Sequence, residues 1–275
     1  MNCGSSKPDH PLTEPSFLRL PAGDRVAYNR TPGAPPEVLF CGGYTSDMGG
    51  TKALALEEHC RSQGRAYIRF DYRGHGASTG QFADGTIGRW RDDALAVVDR
   101  VTAGPLVVVG SSLGGWIMLL VALARPERVQ GLVGVAAAPD FTEDLLLPQA
   151  DPAQRRQLGE QGYWLQPSAY GGPPYPVTRT LIEDGRAHLL LRAPIRVRCP
   201  VHLLHGQRDP DVPWRTALTL AERLESDDVT IELIKPGDHR LSTPADLARI
   251  TAAVERLAGA FGSEPISARA FARPG

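Results

Sequence analysis

Ser112 lies in the run Gly110-Ser111-Ser112-Leu113-Gly114, which fits the pattern Gly-x-Ser-x-Gly. A serine hydroxyl held this way attacks an acyl carbon when a base takes its proton. The pattern is short, so its surroundings decide its meaning. Residues 105–110, PLVVVG, read as a strand ending at Gly110, and LGGWIMLLVALA from Leu113 reads as a helix. Strand, sharp turn and helix around a serine make the strained elbow that exposes a nucleophile. Glycines at 110, 114 and 115 let neighbouring chain approach that turn. The helix N-terminus beneath Ser112 also favours a developing anion. The bland alternative is a helix-capping serine, but a cap does not need glycine on both sides. Ser111, displaced by one from the pattern, is expected to support the turn by hydrogen bonding.

Such a serine needs a histidine in hydrogen-bond reach and a carboxylate that fixes the histidine's tautomer. With an elbow serine on alternating strands and helices, the partners follow in the order Ser, Asp or Glu, His. The acid is expected at Asp209 in LLHGQRDPDVPW, just past a strand ending at His205-Gly206. Asp211 is the alternative; before Val212-Pro213 and the next helix it reads as an N-terminal cap. The base is expected at His239, delivered by the turn Pro236-Gly237-Asp238 after the strand VTIELIK. His205 reads as a packed, hydrogen-bonded residue and His75 as part of the turn Arg73-Gly74-His75-Gly76. His10, His59, His188 and His202 lack suitable context. Acyl transfer also needs donors for an oxyanion. The candidates are the backbone amides of Leu113, directly after the serine, and of Tyr44, in the loop Cys41-Gly42-Gly43-Tyr44. Cys41 reads as a core thiol.

The elements that must position these residues are legible as patterns. SFLRL and DRVAYNR form a hairpin-like opening after a flexible leader over residues 1–15. Apolar runs at 37–41, 65–71, 105–110, 129–138, 200–206 and 229–235 predict strands, most of them buried on both faces. Helical patterns occupy 51–63, 86–102, 113–125, 214–225 and 244–260. In the second, Ile87, Trp90, Ala94, Val98 and Val101 form one apolar stripe. Alternating strand and helix predict an α/β fold, a mostly parallel sheet with helices on both faces, whose ligands bind beyond the strands' carboxyl ends. Residues 16–275 read as one domain. The stretch 139–198, rich in Pro and Gly, breaks the alternation and reads as a small lid insertion with weak helical signals at 152–161 and 178–191. Its aromatics Tyr163, Trp164, Tyr170 and Tyr175 are candidates to contact an apolar acyl or aryl group, or simply to pack the lid down.

Composition excludes other classes. The 275 residues are 42% hydrophobic and 22% charged with a formal net charge of -1, ordinary for a globular chain. No global field would hold nucleic acid. The 27 Arg against 3 Lys are read as compositional bias. Cys3, Cys41, Cys60 and Cys199 have neither CxxC pairing nor zinc-ligand spacing, so reduced thiols and no metal are expected. No apolar stretch is long enough to span a membrane. The first residues, MNCGSSKPDHPLTEP, have neither a signal-peptide core nor transit-helix character, and a soluble cytoplasmic protein is the expectation.

Taken together, Asp71-Tyr72-Arg73-Gly74-His75-Gly76-Ala77-Ser78, Gly110 to Gly114, and His205-Gly206-Gln207-Arg208-Asp209 resemble the α/β-hydrolase superfamily. Gly110 to Trp116, Ala124-Arg125-Pro126-Glu127, Leu203 to Gly206, Val212-Pro213-Trp214 and Asp238-His239-Arg240 narrow the likeness. With Phe70-Asp71-Tyr72, they resemble the abhydrolase-domain palmitoyl-protein thioesterases, also known as acyl-glucuronide esterases, over about residues 24 to 257. The resemblance implies a Ser112, Asp209, His239 triad, hydrolysis of acyl esters and thioesters through an acyl-enzyme, and no cofactor. It also implies a small acyl substrate or an acylated protein as partner. The alternatives are a cofactor-free perhydrolase of the haloperoxidase type using the same triad, and a non-catalytic ligand-binding member of the fold. Asp in place of Ser112 would be needed for a dehalogenase.

Overall fold

The computed structural model describes residues 14–168, 171 and 173–259; the predicted leader falls outside them except for Glu14 and Pro15. One eight-stranded sheet organises the chain. Its strands are β1 (Ser16–Arg19), β2 (Arg25–Thr31), β3 (Ala34–Cys41), β4 (Arg65–Phe70), β5 (Leu106–Ser111), β6 (Val129–Val135), and the later β9 (Val201–Gly206) and β10 (Val229–Ile234). The spatial order is β1-β2-β4-β3-β5-β6-β9-β10. β1 and β2 form the predicted antiparallel opening, β2 pairs antiparallel with β4, and every pairing from β4 to β10 is parallel. The register Cys41↔Gly110, Ser111↔Val135 and Ile234↔Gly206 brings the carboxyl ends to one edge of the sheet. That edge is where three separate turns can face one another.

Between the strands run α1 (Thr51–Ser62), α2 (Ile87–Arg100), α3 (Leu113–Ala124), α7 (Arg215–Arg223) and α8 (Pro244–Gly259). Alternation along the strands feeds two cores. Leu39, Cys41, Leu106 and Val108 pack with α2, α3 and α7, whereas Val38, Phe40, Val107 and Val109 pack with α1 and α8. The α2 stripe is buried as its spacing predicts, apart from partly buried Val101 at the helix end. Thr86 caps α2, its side chain accepting from the Arg89 amide at 3.2 Å. Asp93, fully buried on α2, holds the Arg73 amide at 2.8 Å and Arg73 Nε at 2.7 Å, fastening the turn after β4 to the helix layer.

The insertion after β6 contains a π-helical turn (Thr142–Leu146), α4 (Leu147–Gln149), α5 (Pro152–Gln161), the antiparallel hairpin of β7 (Tyr163–Gln166) and β8 (Tyr175–Thr178), and α6 (Arg179–Arg186). The helical signal at 152–161 coincides with α5, which opens on a capping box between Asp151 and Gln154. The signal at 178–191 yields a shorter helix ending at Arg186. Trp164, Val177, Leu181, Ile182 and Leu191 join the core shared with α2 and α3, so the insertion is packed onto the sheet domain. Its two ends meet at Asp140. That fully buried carboxylate accepts the amides of Leu190 and Leu191, each at 2.8 Å, and faces Arg192 at 3.3 Å.

Candidate active site

Ser112 sits between β5 and α3 with φ 54° and ψ -118°, a left-handed backbone that a non-glycine residue adopts only under constraint. The constraint comes from close packing around it. A Cβ on Gly110 would lie 2.2 Å from the Gly114 carbonyl oxygen, and one on Gly114 would lie 2.0 Å from that of Cys41. The Ser112 side chain makes no capping bond to α3. Its Oγ instead faces His239 Nε2 at 3.0 Å. Ser111 ends β5 with its side chain buried.

His239 is carried in the turn after β10, and its Nδ1–H donates to Asp209 Oδ2 at 2.8 Å. This fixes the tautomer that leaves Nε2 free to accept the Ser112 proton. Asp209 Oδ1 accepts the amides of Asp211 at 2.8 Å and Val212 at 2.9 Å. Burial pushes the carboxyl's pKa up, but donors from His205, His239 and the Val212 amide outweigh it and hold the group well below the usual carboxylate range. Between the two acids, Asp209 is the one on His239. Asp211 does not cap α7, whose N-cap is Trp214 without a side-chain bond. Lys52 on α1 ties down the loop that carries His239 by donating to the Arg240 carbonyl at 2.5 Å, and burial brings its ammonium down to about 8.

The loop after β3 approaches Ser112 from the other side. A Cβ on Gly43 would sit 3.6 Å from the Ser112 Cβ, and the Ser46 amide closes a turn onto the Gly43 carbonyl at 3.2 Å. Two residues of the turn after β4 brace this loop. Asp71 accepts the Met48 amide at 2.6 Å and the Ala77 amide at 2.8 Å. His75, buried and held below its ordinary pKa by desolvation, donates from Nε2 to the Tyr44 carbonyl at 2.6 Å. The turn position of His75 is visible in the sequence; its attachment to Tyr44 is not. Cys41 is a buried free thiol with its pKa pushed up to about 12 by desolvation, as a core residue should be.

A cleft of about 480 Å³ opens over these groups, lined by Ser112, Leu113, Gly43, Tyr44 and His239. Its lining is mixed: Phe141, Leu145, Leu146, Tyr175 and Val212 are apolar or aromatic, and Thr45, Asp47, Lys52, Arg240 and Ser242 are polar. The lid aromatics divide. Tyr175 lines the cleft, its ring 5.4 Å from that of Tyr44, whose hydroxyl lies 3.4 Å from the Pro176 carbonyl. Tyr163 is a correction: it points outward at 39% exposure. Trp164 is another, since it is buried in the core and bonded to Gln166 Oε1 at 3.0 Å. In an antiparallel hairpin alternate residues take opposite faces, which sends Tyr163 and Leu165 out and Trp164 in. Tyr170 lies outside the described residues. Phe141, Leu145 and Leu146 were not singled out from the sequence; their local spacing does not show that a π-helical turn aims them at the cleft.

Comparisons agree with this architecture. A family model described as the alpha/beta hydrolase fold matches residues 36–166. The bovine palmitoyl-protein thioesterase ABHD10, mitochondrial, is 44% identical over 248 residues, covering 89% of this chain and 80% of that protein. The crystal structure of a protein from Agrobacterium vitis superposes with a TM-score of 0.85 at 42% identity, covering 89% of this chain and 98% of the other. Mouse alpha/beta hydrolase domain-containing protein 10 does so with a TM-score of 0.81 at 42% identity, covering 88% and 97%. The cytoplasmic expectation is overturned by the curated relatives, which are mitochondrial by name in cattle, mouse and human alike. Among the described residues no helix is long and apolar enough to cross a membrane. The chain belongs to the α/β-hydrolase family, in its ABHD10 branch of thioesterases and esterases.

Proposed function

We propose that the protein hydrolyses acyl thioesters and esters, palmitoylated proteins among them, by acylation of Ser112. His239 Nε2 takes the Ser112 proton as Oγ attacks the acyl carbon. The resulting oxyanion is received by the amides of Leu113 and Tyr44 at the start of α3 and in the loop after β3. Collapse expels the thiol or alcohol, protonated by His239, and the acyl group stays on Oγ. Water then attacks the ester with the same histidine as base, and the acid leaves. Asp209, kept ionised by its donors, holds the imidazole's tautomer and stabilises its charged form.

The observation that carries this reading is the continuous relay from Asp209 Oδ2 through His239 to Ser112 Oγ, at 2.8 and 3.0 Å. The apolar residues lining the cleft suit an acyl chain, and the polar ones suit the leaving group. A fluorophosphonate probe should label the folded protein on the peptide containing Ser112, and Ser112→Ala should abolish both labelling and turnover of a palmitoyl thioester, the latter by at least about a thousandfold. Labelling that persists in Ser112→Ala would falsify the assignment.

A further inference from the structure

Asp209 carries more donors than a relay to His239 requires. Its Oδ1 accepts two backbone amides, and its Oδ2, already bonded to His239 Nδ1, lies 3.2 Å from Nε2 of a second imidazole, His205. His205 is the penultimate residue of β9 with its side chain 1% exposed, and the Asp209 side chain is wholly buried. The same His205 Nε2 is 3.0 Å from the Val212 carbonyl oxygen. Both neighbours accept only, so Nε2 bears the proton and is shared between them. The packing leaves little freedom: a Cβ on Gly206, next to His205, would lie 2.3 Å from the Gly237 carbonyl, two residues before His239.

We propose that His205 is a positioning residue for the acid, a second imidazole that shares the oxygen used by His239 and so limits how tightly Asp209 holds a protonated His239. This rests on the triad reading above. Each donor on a carboxylate lowers its basicity. Without His205, Oδ2 would be more basic and would stabilise the His239 imidazolium more strongly. Because the base must be neutral to accept the Ser112 proton, the acid limb of the rate profile would move to higher pH. Of the other charged groups near the pair, Asp211 has a carboxylate oxygen within 4.8 Å of an Asp209 oxygen and a His239 ring nitrogen, and Asp47, Lys52 and Arg240 line the same cleft as His239. These groups are common to every variant below and do not alter the comparison.

The test compares His205→Leu, which removes the N–H, with His205→Gln, which can present one at the same reach. The pH profile of kcat/KM on an acyl thioester is normalised to sites titrated by fluorophosphonate, so loss of folded protein does not enter. The acid limb of His205→Leu should move up by about half a pH unit to one, and His205→Gln should restore most of the shift. A His205→Leu limb that coincides with the parent's, or a Gln variant displaced as far as the Leu variant, overturns the proposal. Should the Leu variant not fold, nitrogen NMR of the unaltered protein decides: a protected Nε2–H on His205 supports it, and an Nδ1–H tautomer overturns it. Full activity in His239→Ala would instead remove the triad reading itself.

Discussion

At the scale of single residues, three histidines in buried or part-buried positions do different work because their acceptors differ. His239 spans a carboxylate and a hydroxyl, His205 a carboxylate and a carbonyl, and His75 points Nε2 at the Tyr44 carbonyl. The last of these bonds fixes the peptide following Tyr44, the residue whose own amide is proposed to face the oxyanion. His75→Leu is expected to lower kcat for a thioester about ten- to a hundredfold while KM changes less than about threefold, with His75→Gln recovering part of the loss. Steady-state kinetics on labelled-site-normalised protein check this; an effect on KM alone would place His75 outside the reaction step. Asp209 gives a second expectation at this scale. Its depressed pKa means the carboxylate remains ionised through the acid range, so its contribution to stability is present above the unfolded value of about 4 and is lost only as pH falls through the lower folded one. Asp209→Asn should therefore lose stability relative to the parent at pH 7 and converge on it in strong acid, measurable by urea unfolding at several pH values.

At the scale of elements, the same substitution has opposite signs in two helices. Gly114→Ala in α3 would drive a Cβ to 2.0 Å from the Cys41 carbonyl oxygen, against backbone that cannot yield, and is expected to cost about 2–4 kcal/mol. Gly159→Ala in α5 meets nothing within 4 Å and should gain about 0.5–1 kcal/mol through helix propensity alone. Urea midpoints of the two variants separate them. The insertion is held at its base by Asp140, which has φ 59° as well as its two amide bonds to the returning chain. Asn tolerates that backbone and keeps one acceptor, whereas Ala keeps neither advantage. Asp140→Ala should accelerate hydrogen exchange across 140–192 with little change in β3 to β5, and Asp140→Asn should do so less. Equal exchange in the two variants would mean that the clamp is not what holds the insertion down.

At the scale of the whole molecule, the cleft exists because an insertion packed on the α2 and α3 face overhangs the carboxyl ends of the central strands. Its apolar lining brings Tyr44 from the sheet side together with Phe141, Leu146 and Tyr175 from the insertion. Each methylene it receives is worth about 0.8 kcal/mol, near fourfold in kcat/KM. A homologous series of acyl thioesters should climb by about that factor per carbon and level off when the apolar space is full. Leu146→Trp should move the plateau to shorter chains without reducing turnover of the shortest substrates. A flat series would show that the acyl chain lies elsewhere.

Ser112, Asp209 and His239 were legible because each follows a strand of unmistakable composition, and in a parallel sheet the strands' carboxyl ends all lie along one edge. The apolar stripe of α2 and the alternation of strands and helices were legible for a related reason: periods of 3.6 and 2 are local properties of the chain. The sequence could not show which neighbours those turns acquire. The bond from His75 to Tyr44 joins residues 31 apart, and the clamp from Asp140 to Leu190 joins residues 50 apart. In the hairpin of the insertion, a strand of four residues leaves too short a pattern to tell inward from outward, so Tyr163 and Trp164 took faces that only their pairing with Thr178 and Val177 defines. The chain by itself therefore determined where Ser112, Asp209 and His239 stand, since their positions depend on strand ends and turns. Tertiary structure alone decided what steadies them and what lines the cleft, because those contacts close long loops and carry no local period.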